Sequence, residues 1–466
     1  RKYRNADIVG RQALCLAAFA IAAASSIRNI DPDAPLDLSA LLAAGASPED
    51  IRATARVEFD EATVAKDAVE SYSGYFAINE SSGPGNMFMW YFPAQDGNTS
   101  APLLIWLQGG PGGSSLFGLF AETGPYVVND DIKTLSRRNY TWNTHYDMLY
   151  IDNPFGAGFS NTEDGYVTNE DEVGENLLSL MKQFYQVFPG KKDDDLYVTG
   201  ESYAGHYIPA LAYAILNAPE AGINLAGIAI GDGWVDPVNM VPEYPSMMKG
   251  LGLADGDQLA KIQEYSDNCT ALIKQGEYAA AFRVWDEMLN GDLYPYPNYF
   301  KNITGISDYF NFLHDVAPAD QDYFAPFVQR PEVRRAIHAG AETPFGTNAT
   351  DCEMHLVADF HVSMAPRVEA LLDAGIKVMI FVGQLDIIIG AQLVEAYIPK
   401  LQWKGQSDYQ SASRSLWKVG SRTAGYVRRA RNLVQVTVRN AGHILPYDQP
   451  EAAKVMITNF VEDKEF

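Results

Sequence analysis

Ser202, Asp386 and His443 are the residues whose types and placement could do chemistry together. A serine hydroxyl is a weak nucleophile until an imidazole takes its proton, and the imidazole needs a carboxylate to hold its tautomer and stabilise its charge. Ser202 lies in Leu196-Tyr-Val-Thr-Gly-Glu-Ser-Tyr-Ala-Gly205, where an apolar, β-favouring run meets a serine bracketed by Gly200 and Gly205. A helical pattern follows over Ala210 to Leu216. A sharp strand-to-helix turn of this kind lifts Oγ clear of a sheet and aims the first N–H groups of the helix at developing negative charge. Ala204 stands where the generic G-x-S-x-G pattern has its second glycine, so the motif is met loosely. Taken alone it is equally an ordinary turn after a strand. Pro209 lies beyond the first turn and predicts a kink or a restart of the helix.

The elements that would position these residues recur along the chain as short apolar runs ending in Gly/polar loops. Leu103 to Leu107 runs into Gln108-Gly-Gly-Pro-Gly-Gly113, Met148 to Ile151 into Asp152-Asn-Pro-Phe-Gly-Ala-Gly158, and Leu225 to Ile230 into Gly231-Asp-Gly233. Ile376 to Val382 runs into Gly383-Gln-Leu-Asp386, and Leu433 to Val438 into Arg439-Asn-Ala-Gly-His443. Helical patterns lie between them, over Val173 to Phe188 and Val362 to Ala374. Strands alternating with helices imply an α/β fold with a mostly parallel sheet covered on both faces, its site at the carboxyl ends of the strands. The order Ser, acid, His, each on a loop after a strand, is that of the α/β-hydrolase fold. The glycine loop after the first of these strands is the expected oxyanion loop, because backbone N–H groups can approach an oxyanion where any Cβ would clash. The amides of Gly110 and Tyr203 are the expected donors.

Ahead of this core, Ser71 to Pro93 alternates as a hairpin broken by Ser81-Ser-Gly-Pro-Gly85. Residues 26–70 read as an arm wrapped on the core. The first part of the core spans 71–236 and the second 327–466. Between them, 237–326 changes character. Helical segments Gln258 to Lys274 and Tyr278 to Leu289 lead into the aromatic, proline-broken Asp292 to Phe300, which predicts an inserted helical cap. Tyr294 to Phe300 either pack within that cap or line a substrate pocket.

The formal net charge of −24 argues against nucleic acid as a partner and suits work in acid, where part of it is titrated away. No apolar run reaches the length of a membrane span. Residues 1–25 read as a signal peptide: Arg1, Lys2, Arg4 and Arg11 precede an Ala/Leu-rich run with small residues Ala22, Ala24, Ser25 and Ser26 at its end. The chain starts with arginine, which reads as a leader cut short upstream. Cys15 would leave with the leader, and Cys269 and Cys352 would remain as a candidate disulfide in an oxidising compartment. Six sequons, at Asn79, Asn98, Asn139, Asn268, Asn302 and Asn348, are glycosylation candidates there. The expected destination is the secretory pathway, ending in the lysosome or outside the cell. Cys352, His355, Asp359 and His361 match no known zinc spacing, so no metal is implied, and no cofactor is needed.

Trp106-Leu-Gln-Gly-Gly-Pro-Gly-Gly-Ser-Ser115, Asp152 to Ser160, Gly200-Glu-Ser-Tyr-Ala-Gly205, Gly383 to Asp386 and Gly442-His-Ile-Leu-Pro-Tyr-Asp448 together resemble the serine carboxypeptidases of the S10 type, in particular their vitellogenic carboxypeptidase-like branch. The likeness runs from about Ser71 to the C-terminus. It implies release of C-terminal residues from peptide and protein substrates through an acyl-enzyme. It also implies that Gln108, Glu122 and Glu201 hold the substrate's free carboxylate. Two carboxyls sharing one proton can donate to a third, whereas fully ionised they repel it, which predicts activity favoured in acid.

The chain departs from the family's pattern at Gln108, where many members have Asn, at Gly113, where many have Cys, and at Ile306 and His314, where near relatives carry a cysteine pair. Ile389 replaces a thiol that some members place near the site. None of these touches the triad. Two other functions compete: an acyltransferase or esterase on the same triad, and a non-catalytic storage or binding relative. A homodimer is left open.

Overall fold

The computed structural model describes residues 31–64, 68–291, 298–346 and 349–466. The leader 1–25 with Cys15, most of the aromatic loop 292–297 and the sequon asparagine at 348 lie outside these residues. Thirteen strands are present among the described residues. They are β1 (Tyr72–Glu80), β2 (Gly83–Phe92), β3 (Leu103–Leu107), β4 (Tyr126–Val128), β5 (Leu135–Arg137), β6 (Asp147–Ile151), β7 (Asn161–Thr162), β8 (Leu196–Glu201), β9 (Leu225–Gly231), β10 (Lys377–Gly383), β11 (Ser415–Val419), β12 (Arg422–Ala430) and β13 (Leu433–Val438). All but the small β4–β5 ribbon form one sheet in the order β1-β2-β6-β3-β8-β9-β10-β13-β12-β11, with β7 on the end of β2.

The six central strands, β6 to β13 in that order, are parallel. Antiparallel pairs flank them on both sides. The parallel strands are buried along nearly their whole length because side chains from both faces enter cores. Leu103, Ile105 and Leu107 of β3 join one cluster, with Val198 of β8 and Ile380 of β10. Leu104 and Trp106 join the other, with Tyr197, Met379 and Phe381. Helices Glu170–Val187, Ala204–Leu216 and Ala365–Asp373 cover the first face, and Pro450–Val461 the second. Continuous Leu/Ile/Val runs are the pattern that two-sided burial requires. This is the α/β architecture expected from the alternation of runs, with the strand-end loops on one rim. From β3 the chain goes to β6 on one side and then to β8 on the other. The crevice at that reversal is where the β3 and β8 loops meet.

The hairpin is as expected, Glu80 facing Gly83 across a two-residue turn. Residues 38–55 form two short helices whose Leu38, Leu41 and Ile51 enter the first core, and Arg56 bridges to Tyr72 at the sheet edge. Between β9 and β10 the chain is helical, chiefly Gly256–Gln275 and Tyr278–Met288. The expected break at Pro209 does not occur: one helix runs Ala204–Leu216 through it. Pro209 gives up only the single bond its N–H would make to Gly205, and buried neighbours on both sides hold the turn.

The expected disulfide is also overturned. Cys269 and Cys352 are both buried free thiols with separate neighbours. Cys269 Sγ lies 3.5 Å from the Ala281 carbonyl oxygen and 4.0 Å from His361 Nε2, inside the helical insertion. Cys352 Sγ lies 3.1 Å from the Phe155 carbonyl oxygen, against the loop after β6. Parity of two cysteines says nothing about proximity, and here each thiol is a small core residue. Burial pushes both thiols up to about 12, away from the thiolate form. Alkylation of the denatured, unreduced protein should therefore label both Cys269 and Cys352. Recovery of a tryptic peptide pair that separates only after reduction would contradict this placement.

Candidate active site

β8 ends in the elbow. Ser202 has φ +64°, a left-handed conformation that costs a non-glycine residue about 1–3 kcal/mol. Three backbone bonds hold it: Ser202 N–H to Gly231 O at 2.9 Å, and Gly205 and Trp234 N–H to Ser202 O at 2.9 and 3.0 Å. At about 1 kcal/mol net each they are enough to offset the strain. The elbow is thus locked to the end of β9 as well as to its own helix.

The loop after β3 lies against this turn. A Cβ on Gly109 would sit 2.5 Å from the Tyr203 amide nitrogen and 2.6 Å from Ser202 Cβ, so only glycine permits the approach. Gly110 has φ +116°. The Gly110 and Tyr203 amides make no hydrogen bond among the described residues; Gly110 lines the cavity beside Ser202, and the Tyr203 amide lies against Gly109. The loop is buttressed from β6: Asp152 accepts from Ser114 Oγ (2.6 Å), the Ser115 amide (3.0 Å) and the Phe159 amide (2.8 Å). Burial pushes Asp152 up to about 6, opposed by these donors. In the sequence this stretch is a strand-end loop and part of the family likeness, with no role for Asp152 itself. Its signal was an acid at a strand end facing a Gly/Ser loop.

Asp386 and His443 meet at the ends of β10 and β13. His443 Nδ1 lies 2.7 Å from Asp386 Oδ2, and Asp386 Oδ1 accepts the Ile389 amide at 3.1 Å. The imidazole stacks on Phe310, ring centroids 4.8 Å apart, and its own amide donates to Phe310 O. Burial alone would lower the His443 pKa, but the Asp386 charge and hydrogen bond, aided by Glu201 and Asp308, raise it instead. Nε2 has no partner among the described residues. Ser202 and His443 line one cavity of about 340 Å³ with Gln108, Gly110, Glu201, Trp285, Asn290, Tyr309 and Glu353.

Gln108 is held from both ends, accepting from Trp106 Nε1 at 2.9 Å and donating to Glu201 Oε1 at 2.8 Å. Glu122 does not line the cavity. It sits wholly buried behind Glu201, on the turn Gly118–Glu122, and neither of its oxygens meets an N–H or hydroxyl donor among the described residues. Its neighbour is the Glu201 carboxyl, so the pair is satisfied only when it holds a shared proton. Burial and then the Glu201 charge raise Glu122 well above the usual carboxyl range, and burial raises Glu201 against the pull of His443. Arg138 shapes this turn by donating to the Phe120, Gly124 and Tyr126 carbonyls. The residues weighed for zinc do not converge: His355 stacks on Tyr166, His361 packs among Trp234, Trp285 and Phe360, and Cys352 faces Phe155.

The serine carboxypeptidase family profile matches residues 62–463. The chain belongs to the serine carboxypeptidase family. It is 45% identical over 404 residues to the human probable serine carboxypeptidase CPVL, covering 85% of this chain and 84% of that one. It is 44% identical to the venom serine carboxypeptidase of Apis mellifera, covering 86% of each, and 40% identical over 94% of its length to the vitellogenic carboxypeptidase of Aedes aegypti, covering 92% of that protein. The crystal structure of a prohormone-processing carboxypeptidase from Saccharomyces cerevisiae, Kex1, superposes with a TM-score of 0.74 at 24% identity, over 90% of this chain and 96% of that one, which shows the shared fold. This serine carboxypeptidase releases C-terminal residues from peptides through an acyl-enzyme and is favoured in acid.

The carboxypeptidase buries many acids, and this fixes how its stability depends on pH. Folded Glu122, Glu170 and Asp232 hold protons to well above the ordinary carboxyl range because burial disfavours their charge, whereas the unfolded chain releases them near that range. The folded state then binds more protons, so stability falls as pH rises. Raised His443 acts in the same direction. His206, His338 and His361, lowered by burial to about 4, 4 and 3, act oppositely, but only below the ordinary imidazole range, where the unfolded chain protonates. Above about pH 6.5 the second set fades and the first set dominates. Calorimetry should therefore show a Tm that declines from pH 6.5 to pH 8; a rising Tm over that interval would contradict the assignment.

Proposed function

We propose that Ser202 is the acyl-accepting nucleophile, His443 its base and then the acid for the leaving amine, and Asp386 the group that holds the imidazole. The observation that carries this is the 2.7 Å His443–Asp386 bond, on a residue that lines the same cavity as Ser202 and whose far nitrogen, Nε2, has no partner among the described residues. The Gly110 and Tyr203 amides would receive the oxyanion. Gln108 and Glu201, with Glu122 behind, would hold the substrate's terminal carboxylate beside the scissile bond.

The pH dependence follows from the same groups. Below the pair's titration a proton on Glu122–Glu201 donates towards the substrate carboxylate; above it, two negative charges repel that carboxylate. Protonating the pair also removes one of the charges that raise His443, so filling the pair helps to free the base. Residues 237–326 act as a cap, since Trp285, Asn290, Tyr309 and Phe310 close the cavity over the strand ends. Transit through the secretory pathway to an acidic lumen or the cell exterior is supported by the leader-like N-terminus, by the venom relative, and by Asn79, Asn98, Asn139, Asn268 and Asn302, all exposed.

Two measurements test this reading. Ser202→Ala should abolish labelling by a fluorophosphonate and lower kcat/KM for an N-blocked dipeptide by at least about 10⁴-fold. Retained labelling would remove Ser202 from the mechanism. Glu122→Gln and Glu201→Gln should weaken KM for peptides with a free C-terminus and flatten the loss of activity between acid and neutral pH. Turnover of an ester that lacks a carboxylate should be little affected. An unaltered peptide profile in both variants would sink the carboxylate-binding assignment.

A further inference from the structure

Asp232 is absent from every role assigned so far, yet it is fully buried at the centre of the site. It sits in the loop after β9 with φ +42°, a strained position for a non-glycine residue. Its amide donates to Phe381 O at 2.8 Å, and its Oδ1 accepts the Gly383 amide at 2.8 Å. Both bonds go to β10, the strand whose end carries Asp386. One oxygen is left over. Asp232 Oδ2 meets no N–H or hydroxyl donor among the described residues. Ligand atoms of Asp232, Asp386 and His443 all lie within 4.8 Å of one another.

Two carboxyls this close in a dry site are two acceptors facing each other, and the contact is favourable only with a proton between them. The Asp386 oxygens already receive His443 Nδ1 and the Ile389 amide. The proton therefore belongs on the Asp232 oxygen that has no donor. We propose that Asp232 is a positioning residue, protonated on Oδ2 and donating that proton to the Asp386 carboxylate, so that one negative charge is held aimed at His443. This rests on the triad reading given above.

The surroundings favour the neutral form. Burial, then the Asp386 charge, raise Asp232 well above the usual carboxyl range, with Glu201 adding to the rise and only the Gly383 amide opposing it. Glu122 lies behind Glu201 and feels the Asp232 charge in turn. On the far side, Tyr244 lies near Asp386 with its hydroxyl donated to Ile388 O, and Asp308 lies near His443. Against these carboxyls stand His443 and, beside Glu122, Arg138. An additional ionised acid at Asp232 would have no cation of its own. A neutral donor also restrains His443, because a hydrogen bond to Asp386 disperses the charge that raises the imidazole.

The test compares Asp232→Ala and Asp232→Asn with the parent and with Ser202→Ala, reading kcat, KM and the acidic limb of the pH–rate profile. Asp232→Ala removes the donor. Its kcat should fall about tenfold or more with KM little changed, and the acidic limb should move to higher pH. Asp232→Asn keeps the oxygen for Gly383 and supplies a permanent N–H to Asp386, so it should recover most of the lost kcat and return the limb towards the parent's. If Asp232 were ionised, Asp232→Asn would delete a negative charge beside the imidazole and move the limb down by about one unit or more. That result overturns the proposal, as does an Asp232→Ala enzyme with the parent's kcat and limb. Should Asp232→Ala fail to fold, the direction of the limb in Asp232→Asn decides alone. Fluorophosphonate labelling that survives Ser202→Ala would instead overturn the triad reading, and the two failures are thus distinguishable.

Discussion

Four carboxyls and one imidazole share the space at the carboxyl ends of β8, β9, β10 and β13, and they cannot all be charged. Two unit charges 4.8 Å apart, the span within which Asp232 and Asp386 lie, repel by about 3–4 kcal/mol at an effective dielectric of about 20. That is more than two pKa units. Glu122 and Glu201 stand in the same relation, with His443 and Arg138 as the cations in reach. Retained protons are therefore part of the folded structure. They make the charge of the site sensitive to pH, because the Glu122–Glu201 pair and His443 each shift the titration of the others.

Around this charge problem the backbone is rigid. The elbow serine is strained but bonded to both its own helix and the end of β9, and the glycine loop is pressed against it so closely that a methyl group at Gly109 would collide with the Tyr203 amide. Asp152 holds that loop from a third strand. Each partner comes from a different parallel strand, and the strands are fixed by cores on both faces. The Gly110 and Tyr203 amides are thereby held fixed, as the oxyanion role proposed for them requires.

Much of the site was legible because its residues sit at punctuated strand ends. Ser202, Asp386 and His443 each follow an apolar run and a glycine, so their place on one rim comes from alternation alone, and strands such as β3 and β13 have the bounds that their Leu/Val runs imply. Gln108, Glu201 and Glu122 were legible only through family likeness, since nothing in a lone glutamate's neighbours shows that it will face another. Other features were hidden because they depend on contacts between distant segments. Asp152 reads as part of a turn until Ser114 and Ser115 are seen on it, and Asp232 reads as a loop acid until Asp386 faces it. Pro209 predicted a break that buried neighbours prevent. Cys269 and Cys352 invited pairing by number, yet they lie in different packing environments.

By itself the sequence determined the α/β architecture, the elbow, the order of Ser202, Asp386 and His443 along the strand ends, and the family, because periodicity and glycine punctuation act over a few residues and survive without the fold. Only the tertiary structure decided which oxygens face which. It placed Glu122 behind Glu201, left Asp232 Oδ2 without a donor and Asp232 within 4.8 Å of Asp386, and gave each cysteine its own neighbours. Protonation states and bonds of this kind are set by distances and dielectric between segments far apart in the chain, and no local pattern of residues encodes them.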